Sequence, residues 1–271
     1  MRSINYIAVY GAVLLAMAAA VVLPDAVSAT PNPTSAVIQL RIFNDCPSSV
    51  ITTQNDYPEL ISIRDANLSC MGFANLHNWR FSEDGTTPAV FNNADCFKYQ
   101  TYLVISGTAE GEAGLQISPW FSQNVDGRLN VRTTDGEIAC FGGRLPFYSF
   151  TNSHGLHYIK GTAIYLQITY RPNSLTMVDP GTIEYVVGYN NALYSSGVLP
   201  FDEGNPNEPF GTWGILDDAR VGGHLQAFLQ NGNPDANLQA DFNFIKFDVL
   251  ECEVVPVDPT TWGRIKATYE R

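Results

Sequence analysis

Apolar residues recur at every second position through most of this chain, a period that belongs to half-buried strands. In AIYLQITY, Ile164, Leu166, Ile168 and Tyr170 share one face while Tyr165, Gln167 and Thr169 share the other. TIEYVVGY repeats the pattern with Ile183, Tyr185, Val187 and Tyr189, and VIQLRIF places Ile38, Leu40 and Ile42 together. HLQAFLQ puts Leu225, Ala227 and Leu229 on one side and His224, Gln226 and Phe228 on the other. Asp126-Gly127 and Asp135-Gly136 each separate runs of strand character, and Asp-Gly suits the positive φ angles of tight hairpins. Three consecutive antiparallel strands are therefore predicted across LQISPWFSQNVDGRLNVRTTDGEIACF. One helical turn is predicted over 65–78, and no longer amphipathic helix stands out. Many strands, polar turns and little helix define an all-β chain, an antiparallel β-sandwich of jelly-roll type with two curved sheets.

The first residues have a different character. Arg2, an apolar run from Ile7 to Leu23 and the small residues AVSA at 26–29 read as a signal peptide cut after Ala29. The run is near the minimum length of a membrane span, about 17 residues, but Pro24 and the AVSA that follows favour cleavage. Residues 30–271 are then one β-sandwich domain, with 252–271 as a C-terminal extension. The expected location is extracellular or periplasmic, and no later segment is apolar enough to span a bilayer.

Fifteen basic residues against 27 acidic ones give a net charge of −12. Nucleic acid is excluded as a partner on that balance, because phosphates require clustered Lys and Arg. Five cysteines (Cys46, Cys70, Cys96, Cys140 and Cys252) lie beyond the leader without C-x-x-C spacing, so disulfides are expected and a zinc site is not. Cys70 and Cys96 flank one polar segment and form the expected first pair. Cys46 and Cys252 would join the two ends, leaving Cys140 as a free, buried thiol.

The last third resembles the concanavalin A-like lectin and glucanase superfamily, including its laminin-G-like jelly-roll members. IEYVVGYNNALYSS, then WGILDDARVGG, then the closing NFIKFDVLE carry that resemblance. It implies two curved antiparallel sheets with ligands on the concave face, in lectins, glycoside hydrolases, polysaccharide lyases or adhesion modules. Fold does not choose among these. The Glu-x-Asp-x-x-Glu strand of the glucanases is missing; Glu110-Gly111-Glu112 comes nearest.

Glu110, Glu112, Glu137 and His157 are the candidate catalytic groups, since glycosidic cleavage uses paired carboxyls about 5 to 9 Å apart. Asp217 and Asp218 would point to opposite faces of an extended strand, so a structural role is expected for them. Asp202, Glu203 and Asn205 form an oxygen-rich loop that suits Ca2+, although loops are commonly built of such residues. A glycan site needs an aromatic platform with converging polar groups. Trp120, Asn130, Arg132, Tyr165, Gln167, His224, Gln226 and Phe228 supply those types from polar strand faces. The leading expectation is a secreted, non-catalytic glycan-binding or cell-surface interaction protein that takes a polysaccharide or surface glycan. A hydrolase or lyase of the same fold is the alternative, and a self-assembling structural protein the third reading.

Overall fold

The computed structural model describes residues 29–117, 127–204 and 211–252. Fourteen strands and one short helix follow in order. They begin with β1 (Ser35–Asn44), β2 (Val50–Asp56), β3 (Leu60–Ala66), β4 (Ala74–Ser82) and β5 (Phe97–Gly107). Then come β6 (Gly111–Ile117), β7 (Gly127–Arg132), β8 (Ile138–Phe141), β9 (Tyr148–Ser149) and α1 (Phe150–His154). The series closes with β10 (Ala163–Arg171), β11 (Thr182–Tyr189), β12 (Ala192–Pro200), β13 (Val221–Phe228) and β14 (Asn237–Val249).

The strands form two antiparallel sheets of seven. The first runs β1-β4-β13-β6-β7-β8-β9 and the second β12-β11-β10-β5-β14-β3-β2. This is the jelly-roll sandwich expected from the period-two pattern. Ile164, Leu166, Ile168 and Tyr170 face the core as the alternation requires, and so do Ile183, Tyr185 and Val187. β6, β7 and β8 are consecutive antiparallel neighbours, and Gly136 takes the positive φ of its turn at 76°. Asp126 of the other predicted turn lies outside the described residues, as do residues 1–28 of the expected leader and the tail beyond Cys252.

Trp79 sits at the centre of the inter-sheet core, edge-on to Phe81 at 5.2 Å and to Phe242 at 5.5 Å. Room for the indole comes from β13, where a Cβ at Gly223 would lie 2.4 Å from Trp79 Nε1. The glycine pair therefore serves close packing inside a strand. Asp65, Asn75 and His77 form a polar cluster between the sheets. His77 Nδ1 accepts the Arg41 N–H at 3.0 Å, which leaves its Nε2–H to donate to Asp65 Oδ2 at 2.9 Å. Asn75 Nδ2 donates to the same oxygen at 2.8 Å. Burial alone would raise the Asp65 pKa, but hydrogen bonds from His77, Ser49 and Asn75 outweigh it and hold the carboxyl below its ordinary range.

Several expectations are corrected. Arg41 adopts φ 56° at a bulge, so Leu40 turns outward instead of sharing a buried face with Ile38. The guanidinium of Arg41 holds that bulge by donating to the carbonyls of Cys46 and Ser49. No helix forms over 65–78: β3 ends at Ala66, Asn67 and Gly72 take positive φ, and β4 starts at Ala74. The four disulfide cysteines are those expected, but the partners differ. Cys46 bonds Cys70 and Cys96 bonds Cys252, with Cα separations of 5.4 and 6.1 Å. Strand register explains the second pair, since Val249 lies opposite Phe97 and brings both following and preceding cysteines together. Cys140 is the free thiol and is buried. Asp217 and Asp218 occupy a turn, not an extended strand. Asp217 accepts the Asn93 N–H at 2.8 Å, and Asp218, at φ 61°, pairs with Arg220 at 2.8 Å.

Gly223→Ala drives a methyl into the Trp79 ring and is expected to cost about 1–3 kcal/mol. A urea midpoint that falls with unchanged slope would register it; an unchanged midpoint would mean the indole has room to move.

Candidate functional site

Strands β4, β13, β6 and β7 are buried on both faces. One face is the apolar core. The other, directed away from the second sheet, is polar because the intervening residues of each strand are Asn, Arg, His, Gln and Glu. Register sorts them into rows. Arg80, Gly222, Gln116 and Arg128 form one row; Asn78, His224, Gly114 and Asn130 form the next. Leu76, Gln226, Glu112 and Arg132 form the third.

Hydrogen bonds link the rows. Arg128 Nη2 lies 2.9 Å from Glu112 Oε1 and donates to Gln226 Oε1 at 3.0 Å. Between them Gly114 lets β6 lie close to β7, since a Cβ there would meet the Leu129 carbonyl oxygen at 2.0 Å. Asn130 Nδ2 donates to Glu112 Oε2 at 2.8 Å, and its Oδ1 is 2.9 Å from His224 Nε2. That contact requires the His224 proton on Nε2. Asn78 Oδ1 accepts from Arg80 Nη2 at 3.0 Å while Asn78 Nδ2 donates to Gln116 Oε1 at 3.1 Å.

The two central arginines are not equivalent. Arg80 is 1% exposed and Arg128 0%, and burial pulls both pKa values down to about 10. Glu112 counteracts that shift at Arg128. Arg80 has Tyr99 and the like-charged Arg220 in its electrostatic surroundings and no carboxylate. Its Nε and Nη1 are buried without a hydrogen-bond partner. Both arginines remain charged at neutral pH. His224 is wholly buried, and burial, then Arg128 and Arg80, push its pKa well below the ordinary histidine value. It is therefore a neutral imidazole.

At one end of the face Phe228 meets Phe73, ring centroids 5.4 Å apart, and Phe73 is 59% exposed. An aromatic surface thus borders the polar rows. Arg132, in the third row near that end, is bound to Asp135 at 2.5 Å and to Glu137 at 2.7 Å. The Arg132 contact holds the Asp135 carboxyl down at about 2.

The structure brings together five of the eight expected ligand-binding residues: Asn130, Arg132, His224, Gln226 and Phe228. Tyr165 and Gln167 are not among them, because β10 belongs to the second sheet and its polar face looks the opposite way. Trp120 lies outside the described residues. The candidate catalytic acids each have a cation: Glu110 pairs with Lys160 at 2.8 Å, Glu112 with Arg128 and Glu137 with Arg132. His157 lies apart in a loop, its Nδ1 3.2 Å from the Asp135 carbonyl. Asp202 and Glu203 line a cavity of about 360 Å3 with Arg144 and Phe147. Asn205 lies outside the described residues, and among those described no three His, Cys, Asp or Glu side chains converge as a metal would need. Arg80, Asn78, Arg128 and Phe73 went unnoticed in the sequence, although HNWRFS and GRLNVR carry the same alternation that exposed His224 and Gln226.

The fold and this face define a jelly-roll sandwich with a polar, arginine-bearing outer sheet. No family model matches the chain, and no curated protein matches it. Among solved structures it is similar to an alginate lyase of polysaccharide lyase family 7, at 13% identity and TM-score 0.43 over 80% of this chain and 95% of that one. An alginate lyase from Klebsiella pneumoniae aligns at 11% identity and TM-score 0.47 over 75% and 85% of the two chains. A functionally unknown protein from Saccharomyces cerevisiae aligns at 10% and 0.42 over 80% and 98%. These likenesses concern architecture and assign no residue a role.

Neutral burial of His224 makes stability depend on pH. The folded pKa lies below the unfolded value near about 6.5, so its contribution is complete above that pH and declines as pH falls beneath it. The decline approaches about 1.4 kcal/mol per pH unit. Urea titrations of wild type and His224→Gln at pH 8 and pH 5 are expected to show a smaller acid loss in the variant. Equal losses would mean the imidazole protonates freely in place.

Proposed function

We propose that this is a secreted protein that binds an acidic polysaccharide along the outer face of the first sheet. The observation that carries the reading is Arg80, a buried guanidinium whose Nε and Nη1 are unpartnered and which has no carboxylate beside it among the described residues. These donors lie on different edges of the guanidinium, and each can meet a carboxylate or sulfate oxygen in a charge-assisted hydrogen bond. The amides of Asn78 and Gln116 beside it and of Gln226 two rows along suit sugar hydroxyls, and the Phe73–Phe228 pair beyond them suits the apolar face of a sugar ring. The two disulfides fit an oxidising, extracytoplasmic compartment. Among the described residues no helix is long and apolar enough to cross a membrane.

One observation favours a second reading, eliminative cleavage of the same polymer. His224 is a neutral imidazole among arginines, the protonation state a base needs for removing a proton beside a carboxylate. Among the described residues this face has no tyrosine to protonate the leaving oxygen, and Glu112 is tied to Arg128 and Asn130. Binding is therefore the better-supported function.

Arg80→Met separates binding from folding. Removing a buried, half-satisfied charge is expected to stabilise the free protein by about 1–3 kcal/mol, while affinity for polyuronate oligosaccharides falls about 10- to 100-fold. Calorimetric titration with oligomannuronate, oligoguluronate and oligogalacturonate reads the second effect and a melting curve the first. Undiminished affinity in the variant would overturn the proposal. Unsaturated uronate in the same samples, lost in His224→Gln, would replace binding by cleavage.

A further inference from the structure

The residues Tyr165 and Gln167, excluded from the face above, belong to a second arrangement on the outer face of the second sheet. Tyr165 and Tyr102 are a direct cross-strand pair, and Tyr102 lies opposite Asn243 on the next strand. The rings of Tyr165, Tyr102 and Phe244 follow one another across β10, β5 and β14. Centroids are 5.2 Å apart with planes at 55°, then 6.4 Å apart at 87°.

Two features hold these rings open. Phe244 adopts φ 51° at a bulge in β14 and is 65% exposed. A bulky residue rarely occupies that region, and such a conformation persists only where surrounding structure imposes it. Tyr165 is flanked by Gly188, where a Cβ would lie 3.0 Å from the Tyr165 Cβ, so β11 leaves its ring uncovered. The Tyr165 hydroxyl sits 3.0 Å from Gln100 Oε1 and 2.8 Å from Gln167 Oε1, which orients the ring before any ligand arrives. Beside it opens a groove of about 820 Å3, walled by Ile159, Asn190, Asn191 and Leu193. Small-molecule sites commonly fall between about 300 and 1,000 Å3.

We infer that this groove is a second carbohydrate site, for a single chain of a neutral polysaccharide. Its lining holds tyrosines, amides, a threonine and aliphatic carbons, with no ionised side chain. On the same sheet Lys98 and Lys246 both pair with Asp248, at 3.1 and 2.9 Å. No cation lines the groove itself for an acidic glycan, in contrast to the Arg80 face. Rings tilted by 55° and 87° follow a twisted single chain and do not present the flat surface that a crystalline polymer requires. A protein partner would bury about 800 Å2 per side, far more than a groove this narrow offers.

The test is calorimetric titration of the whole protein with cellohexaose, xylohexaose, mannohexaose and laminarihexaose, with sedimentation in parallel. At least one hexasaccharide is expected to bind, about tenfold more weakly to Tyr102→Ala and to Phe244→Ala. Both side chains are well exposed, so melting temperatures should hold. Arg80→Met should keep this binding while losing polyuronate affinity, which separates failure of one site from failure of the other. Absence of binding by all four sugars, or binding untouched by both variants, overturns the inference. So does self-association of the wild type that these variants abolish, since the groove would then be an interface between copies of this chain.

Discussion

A guanidinium withdrawn from water loses several kcal/mol of hydration unless hydrogen bonds and an opposite charge replace it. On the outer face of the first sheet this constraint is met unevenly. Arg128 is compensated by Glu112 and Gln226, and Glu112 in turn holds Asn130, which holds His224. Loss of one partner in a buried pair of this kind typically costs 3–5 kcal/mol, so the grid behaves as a unit. Arg80 stands at its edge with one amide and no anion. The imbalance is where a ligand's charge would be most strongly attracted, and it disfavours readings in which the face is only a wetted sheet surface.

The position of the grid depends on packing beneath it. Trp79 and Arg80 are neighbours on β4, one facing the core and one facing outward. Gly223 makes room for the indole, and the adjacent Gly222 lets β13 lie against β4 where a Cβ would meet the Trp79 carbonyl at 2.1 Å. The same two glycines therefore serve core and site. At Gly114, similarly, an absent side chain lets β6 approach β7, where a Cβ would meet the Leu129 carbonyl oxygen at 2.0 Å. Small residues on this sheet thus mark places where larger ones must approach.

Alternation made the architecture legible, because period two survives wherever one face meets the core. It also grouped His224, Gln226 and Phe228 correctly. What escaped were contacts that depend on strand order: Tyr165 and Gln167 have the right polarity but lie on the other sheet, and Cys46 lies nearer Cys70 than Cys252. Bulges at Arg41 and Phe244 broke the period: the first inserts two residues and disturbs it only locally, while the second inserts one and moves the core face from Phe242 to Phe247. Arg80 and Arg128 were visible as polar alternates of Trp79 and Leu129. Their significance came only from burial, which sequence polarity does not report.

Two sites with different electrostatic character follow, one carrying an uncompensated cation and one a groove with no ionised side chain in its lining. The central claim is that the first takes its ligand by charge at Arg80. It is tested most directly by a crystal structure with a bound uronate oligosaccharide. A carboxylate within hydrogen-bonding distance of Arg80 Nε or Nη1 is the expected result. An oligosaccharide ordered elsewhere, with those two nitrogens still unpartnered, would contradict it.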